Sequence, residues 1–276
     1  MCLIVVCVIF VSPRLSTDEI RMLDVGQGDS TLIRSEGAAV LIDTGNHDSL
    51  LKEEIAEAGV YTLDAVFISH ADSDHCGSLE SLADIVNIQR VYLASDALVC
   101  SCNNCSSLVS VCKKIVGDEG LYGVDVGDEF VVGKFRFTIL SPSVFSDEGG
   151  NADSLVMSCA YDYENDGQAE WLALFTGDAE TETLTKLMNA GLLSDIDVLK
   201  VGHHGSKVSL SSDILDVLNP EVALIGVGAT NRYGHPTQTV LDLLANANSE
   251  VYRTDVNGTI SVTFSKNNLS VNPDST

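Results

Sequence analysis

Basic residues are scarce in this chain: 15 Lys and Arg stand against 40 Asp and Glu in 276 residues, a formal net charge of −25. That imbalance excludes a broad electrostatic grip on nucleic acid, which rests on clustered Lys and Arg. It leaves room for a local basic or metal-lined site for a phosphate ester, and an acidic surface also serves solubility alone. Long hydrophobic runs are missing too, so no stretch beyond the N-terminus is apolar for long enough to span a bilayer. The start, "MCLIVVCVIFVSPRLS", is apolar from residue 2 to residue 11, too short to span alone, and it lacks the basic opening of a signal peptide. Residues 1–17 read as an apolar leader, a transmembrane remnant or a first buried strand. Residues 18–276 read as a single domain, because no Pro- or Gly-rich linker and no exact repeat divides them.

Eight cysteines are too few for a disulfide scaffold at this length. Four cluster in "CSCNNCSSLVSVC", as Cys100, Cys102, Cys105 and Cys112. A structural zinc, two disulfides and free thiols are all compatible with that irregular spacing. The segment reads as local bracing, apart from the chemistry.

Short apolar runs with turn signals fill the rest. "IRMLDV", "STLIRS" and "AAVLIDTG" predict closely spaced strands. "HDSLLKEEIAEAGV" predicts a helix capped by Asp48 or Ser49 and stopped by Gly59. "LDAVFIS", "RVYLAS" and "FRFTILSP" continue the strands, with the helix "GSLESLADIV" after the first. In the second half, "SLVMSCAYDY", "EWLALFTGD", "DVLKVG" and "EVALIGVG" are strands; "AETETLTKLMNAG", "SSDILDVL" and "TQTVLDLLANA" are helices. "EVYRTD" and "GTISVTFS" predict a terminal strand pair around Asn257-Gly258. Strands grouped at each end with helices between them suggest an αββα sandwich, two packed mixed sheets flanked by helices; periodicity alone establishes mixed α/β.

Chemistry gathers where apolar strands end. "ISHADSDHCGS" places His70, Asp72, Asp74 and His75 within six residues, directly after a buried-looking strand. Imidazole nitrogen and carboxylate oxygen both bind zinc or manganese, and four such groups could serve two ions. A polar helix cap would use the aspartates and serines but not the two flanking histidines. "LALFTGDAE" puts Asp178 just past another strand, where a carboxylate could bridge two ions. "DVLKVGHHGS" adds His203 and His204, and "NRYGHP" adds His235. Adjacent side chains of an extended segment point to opposite sides, so His203 is expected among the ligands and His204 facing away, toward substrate. Lys207 and Arg232 are the candidate phosphate contacts. "DVGQGDS" lacks the Lys-Ser/Thr of a P-loop and the third glycine of a dinucleotide fingerprint. Gly26 and Gly28 read instead as turn residues that let the backbone pass close beneath the site.

"SHADSDH" resembles the metal signature of the metallo-β-lactamase superfamily, His-x-His-x-Asp-His. "MLDVGQGDS", "VLIDTG", "SHADSDHCGS", "LFTGDAE", "LKVGHHGSKVS", "NRYGHP" and "VYRTDVNGTI" resemble, in the same order, the β-lactamase-like domain of the ComEC DNA-internalisation family. The resemblance covers residues 20 to about 263. It implies the αββα fold, two divalent ions (zinc or manganese) and hydrolysis, with a phosphodiester the expected substrate class and a metal-activated hydroxide the nucleophile. The implied metal ligands are His70, Asp72, Asp74, His75, Asp178 and His203. Asp74 and His235 are the catalytic candidates, and His204, Lys207, Arg232 and Ser154 the substrate contacts.

Asp72 stands where the superfamily usually has its second histidine, a change the ComEC-like branch shares. The usual third histidine of the first ion is missing, and "NADSLVMS" offers only Asn151, Asp153 and Ser154. The expected function is a phosphodiesterase or nuclease acting on DNA, with single-stranded DNA a candidate substrate, in DNA uptake. Alternatives are hydrolysis of a small ester, thioester or lactam, and a non-catalytic metal-binding module. The family would place a monomeric, soluble domain beside a membrane channel domain or subunit, outside the cytoplasm or at the membrane.

Overall fold

The computed structural model describes residues 17–146 and 148–275, so the apolar leader read at residues 1–17 lies outside the described residues save Thr17. Two large sheets pack face to face. The first has eight strands, in the order Asn268–Pro273, Ile260–Ser265, Glu19–Met22, Thr31–Ser35, Ala38–Ile42, Ala65–Phe67, Val91–Ala94 and Leu121–Val124. The second has seven: Glu250–Arg253, Val222–Ile225, Val198–Lys200, Trp171–Phe175, Val156–Tyr161, Phe135–Ser141 and Glu129–Val132.

Each sheet changes character at one strand. In the first, pairing is antiparallel up to Ala38–Ile42 and parallel beyond it. In the second, it is parallel from Glu250–Arg253 up to Trp171–Phe175 and antiparallel beyond. Parallel strands need crossover helices, and those helices cover the outer faces. The strands in this half are therefore buried on both sides: Ala173, Val198, Val222 and Leu224 face the inter-sheet core, while Leu174, Leu199, Ala223 and Ile225 face the helices. This alternation is the period of two that an extended chain imposes.

Ile20, Leu41, Phe137, Met157 and Phe175 share the core between the sheets. Leu51 and Ile55 of the helix Asp48–Ala58 join it from outside the first sheet, and Gly59 closes that helix in the left-handed conformation (φ 64°), as its position in the sequence predicts. Leu184 and Leu187, Ile214 and Leu218, and Val240 and Leu244 cover the second sheet from the helices Thr181–Asn189, Ser212–Leu218 and Gln238–Asn246. The layered αββα sandwich is thus the architecture of the described residues.

One expectation fails, and one segment left unassigned gains an element. "EVYRTD" and "GTISVTFS" do not pair: Glu250–Arg253 edges the second sheet, whereas Ile260–Ser265 pairs with Glu19–Met22 and Asn268–Pro273 in the first. The helical turn Thr254–Asn257 between them carries the chain across the sandwich, so Asn257-Gly258 is a crossing rather than a hairpin turn. The cysteine segment forms a helix, Asn103–Val116, that buries Cys105, Leu108 and Cys112. Thiols supply part of its apolar stripe.

Opposite the ends where the chemistry lies, Asp18 clasps the two sheets. It accepts hydrogen bonds from Ser35 Oγ (2.7 Å) in the first sheet and from Tyr161 Oη (2.8 Å) in the second, with Lys134 Nζ 3.1 Å away. Tyr161→Phe should leave this buried carboxylate short of a donor and lower the unfolding free energy by about 1–2 kcal/mol. Denaturant unfolding monitored by circular dichroism measures the change; an unaltered midpoint would show that the clasp carries no stability.

Candidate metal centre

The two strands at which pairing changes, Ala38–Ile42 and Trp171–Phe175, both end where the functional side chains gather. In α/β sheets the carboxyl ends of strands at such a point are where ligands bind. Asp43 follows the first of them in a left-handed backbone (φ 61°). Its carboxylate accepts three hydrogen bonds, from Ser69 N (2.7 Å), Ser69 Oγ (2.7 Å) and His75 Nδ1 (2.8 Å). Ser69 Oγ also lies 3.0 Å from His70 Nδ1. One carboxylate thus orients both histidines through their Nδ1 atoms.

The His70 and His75 rings lie with centroids 4.1 Å apart, both fully buried, and neither Nε2 has a hydrogen-bond partner. His75 Nε2 stands 3.1 Å from Asp178 Oδ1, close enough for attraction but off the line of a hydrogen bond. Asp178 is held from both sides: its backbone N–H donates to Ser154 Oγ (3.1 Å), and its Oδ1 accepts from the His203 backbone N–H (3.1 Å). His204 turns its Nδ1 to the Gly226 carbonyl (2.8 Å), which leaves Nε2 at 3.2 Å from Asp74 Oδ2 and 3.7 Å from Asp178 Oδ2. Asp29 completes the set. Ligand atoms of Asp29, His75, Asp178 and His204, all four buried, lie within 4.8 Å of one another.

Glycine permits this convergence. Gly28 has φ 143°, and a Cβ there would fall 2.5 Å from the Asp74 carbonyl. That same carbonyl accepts from Asp29 N (3.1 Å), so the loop of Gly26 and Gly28 does pass against the histidine-bearing turn.

The electrostatics are those of a cation site. Burial alone would push the His75 pKa down, yet Asp178 and Asp43 more than offset it and hold it well above the usual imidazole value. His204 behaves alike: burial lowers and Asp178 and Asp29 raise, for a result of about 10. Burial works against ionised Asp29, but Lys200 and His204 bring it to about 2. Asp178 is held well below the usual carboxylate range, against burial, by His75 and His204. Lys200, buried, donates to the Gly177 carbonyl (2.7 Å) and contacts Asp29. Positive charge is favoured here from every direction, and two unpartnered imidazole nitrogens face a cluster of carboxylates. A nitrogen and oxygen donor set of this kind suits a divalent metal ion.

The sequence-derived candidates divide accordingly. His70, Asp74, His75 and Asp178 come together with His204. Asp72 precedes the short turn Ser73–Cys76 without a side-chain capping bond and lies 3.6 Å from His70 Nε2 with its side chain 41% exposed, at the rim. The expectation for the adjacent histidines is reversed in space. His203 and His204 both adopt left-handed backbone, φ 49° and 52°, so the segment coils and the alternation of an extended chain does not apply. His204 is the inward residue, whereas the His203 ring meets Glu180 Oε1 (3.1 Å) and Asn151 Nδ2 (3.2 Å). Ser154 is buried against the Asp178 amide rather than facing a substrate. Asp153 accepts from Ser146 N (2.6 Å) and Gly149 N (2.9 Å), which shapes a loop. His235 is half-buried beside His203 (centroids 5.7 Å), and its pKa is lowered by burial and by His203 and His204. Lys207 and Arg232 are exposed and outside the buried cluster.

Asp29, Asp43 and Lys200 were not among the candidates. Asp43 and Lys200 are lone charged residues at the ends of apolar runs, in "VLIDTG" and "DVLKVG", and that position is the signal that marks them; Asp29 lies in the glycine loop "GQGDS" before a strand.

Such a centre at the strand ends of an αββα sandwich defines a metallo-β-lactamase-type fold, and residues 23–99 match the description of the metallo-beta-lactamase superfamily. The chain belongs to that superfamily. Within it, the chain is similar to ComE operon protein 3 of Bacillus subtilis (strain 168), 34% identical over 94% of this chain and 35% of that protein. It is also similar to Recombination protein 2 of Haemophilus influenzae, 31% identical over 92% and 30%, and to Competence protein ComA of Neisseria gonorrhoeae, 31% identical over 86% and 31%. The link is to the ComEC-like competence proteins, and the chain spans about a third of the length of these relatives. Among solved structures the fold is shared with CmlA, a diiron β-hydroxylase from Streptomyces venezuelae (TM-score 0.58, 13% identity, 90% of this chain and 54% of that one). It is shared as well with the metallo-beta-lactamase fold protein YhfI from Bacillus subtilis (TM-score 0.54, 14% identity, 86% and 96%).

His204→Ala should weaken binding of a divalent ion by about 100-fold or more, because it deletes an inward ring, while His203→Ala should leave the affinity within a few-fold. Calorimetric titration with zinc or manganese reads both, and the opposite ranking would overturn the placement.

Proposed function

We propose that the chain is a metal-dependent phosphodiesterase or nuclease acting on DNA, the hydrolytic part of a DNA-uptake protein. The observation that carries the proposal is the pair of buried, unpartnered Nε2 atoms of His70 and His75 facing Asp178, beside His204 and Asp74. The fold alone does not decide among chemistries, since CmlA is described as a diiron β-hydroxylase. Competence-protein relatives favour a DNA substrate.

His70, His75, Asp72, Asp74, Asp178 and His204 are the residues that would hold two divalent ions, zinc or manganese. Bound there, the ions would supply a water acidified to neutral pH and positive charge for the phosphoryl oxygens. The chain's own residues do the positioning. Asp43 fixes His75 by its Nδ1, and the Gly226 carbonyl does the same for His204, so each ring presents Nε2 inward. Asp178, clamped by Ser154 and the His203 amide, stands between the two histidine groups. His235, depressed by burial and neighbouring histidines, is neutral at neutral pH and can donate a hydrogen bond to the leaving oxygen.

A cavity of about 500 Å³ lined by Asn103, Asn104, Glu148 and Asn151 adjoins the site at Asp72. Its neutral amides offer hydrogen bonds without attracting phosphate by charge. Substrate attraction therefore falls to the ions and to exposed Lys207 and Arg232, which suits the acidic composition. We further infer that the domain works as a monomer beside a membrane channel part, outside the cytoplasm; the greater length of the competence relatives supports a further part. Among the described residues no helix is long and apolar enough to cross a membrane.

Asp178→Asn should reduce hydrolysis of bis(p-nitrophenyl) phosphate and of a single-stranded oligonucleotide by about 100-fold or more, with circular dichroism unchanged. Hydrolysis at the wild-type rate by that variant would sink the reading. Turnover of carboxylic esters with none of either phosphodiester would replace it by the small-ester alternative.

A further inference from the structure

The cysteine cluster lies outside the chemistry just described. All six cysteines among the described residues are free thiols, so the disulfide reading does not apply to them. Cys100, Cys102 and Cys105 nonetheless bring their sulfurs within 4.8 Å of one another. Tetrahedral zinc with bonds of about 2.3 Å sets its sulfurs roughly 3.8 Å apart, so closure by an ångström or less would seat an ion.

The backbone around the cluster is arranged for thiolates. Cys102 N–H donates to Cys100 Sγ (3.4 Å), and Cys105 N–H donates to Cys102 Sγ (3.3 Å). Cys102 is the N-cap of the helix Asn103–Val116, where the free amides and the helix dipole favour negative charge. Cys105 is buried, so its sulfur is held in place by the surrounding core.

We propose that Cys100, Cys102 and Cys105 form a structural zinc site, separate from the Asp/His centre and independent of the proposed hydrolytic role. Binding releases the three thiol protons to solvent. The fourth position opens onto the cavity that Cys102 and Glu148 line together, where the Glu148 carboxylate and water are the available donors. The Cys102 and Cys105 thiols donate to the Glu148 carbonyl, at 2.9 and 3.5 Å.

The site braces the metal centre through one loop. Gly149, next to Glu148, accepts from Ala71 N (2.8 Å), and Ala71 lies between His70 and Asp72. A Cβ on Gly149 would fall 2.4 Å from Cys105 Sγ. Sulfur, loop and the histidine-bearing turn are packed in direct sequence, so an ion on the cysteines stiffens the wall beside His70.

Cobalt(II) substitution tests the proposal, because a strong near-ultraviolet charge-transfer band requires thiolate ligands and cannot come from the Asp/His centre. The reduced full chain should show the band and bind one zinc equivalent more than Cys102→Ser or Cys100→Ser, both at partly exposed positions. Each variant should lose the band and that equivalent while keeping its Asp/His-bound metal. Absence of the band in the wild type would overturn the proposal, as would its survival in both variants. A disulfide among the three, found by peptide mapping of protein purified with zinc, would overturn it too.

Discussion

The centre depends on a single buried carboxylate. Asp43 takes three hydrogen bonds from the Ser69–His75 turn, so the end of one strand dictates where the next loop may lie. Through Ser69 Oγ and His75 Nδ1 it also fixes the direction of both imidazoles. An ionised group sealed from water is tolerated only when its oxygens are so engaged. The left-handed backbone at Asp43 is the local strain accepted for that arrangement.

Around it the fold concentrates negative charge where the chain can least solvate it. Asp29, Asp43 and Asp178 are buried, and Asp74 stands at the edge. Lys200 and the two histidines balance them within the protein alone. A divalent ion would replace protons on those histidines by a charge better matched to the carboxylates. Glycine and left-handed backbone recur at the approaches, at Gly28, Asp43, His203 and His204, because so many short loops must end within a few ångströms.

Much of this was legible beforehand. Apolar runs ending in His or Asp located "SHADSDH", "FTGDAE" and "VGHHGS", and the runs themselves revealed the layers. Single residues were harder: Asp29, Asp43 and Lys200 act one at a time, and a lone acid after a strand looks like any turn residue. Which of His203 and His204 turns inward is not legible, because backbone handedness, which two residues with positive φ reset, leaves no trace in residue type. The helix Asn103–Val116 escaped because cysteine and serine disguise its buried stripe. The Asn257-Gly258 turn looked local, yet it carries the chain from one sheet to the other.

The inward-facing groups come from two distant stretches, with Asp29 through His75 on one and Asp178 through His204 on the other. An ion held by both would act as a reversible cross-link, closing a loop on the order of a hundred residues in the unfolded chain. Chelation would then do more than silence a reaction. It would remove a tie between the halves at that end of the sandwich, where the Lys200–Asp29 contact remains, while the Asp18 clasp holds the other end.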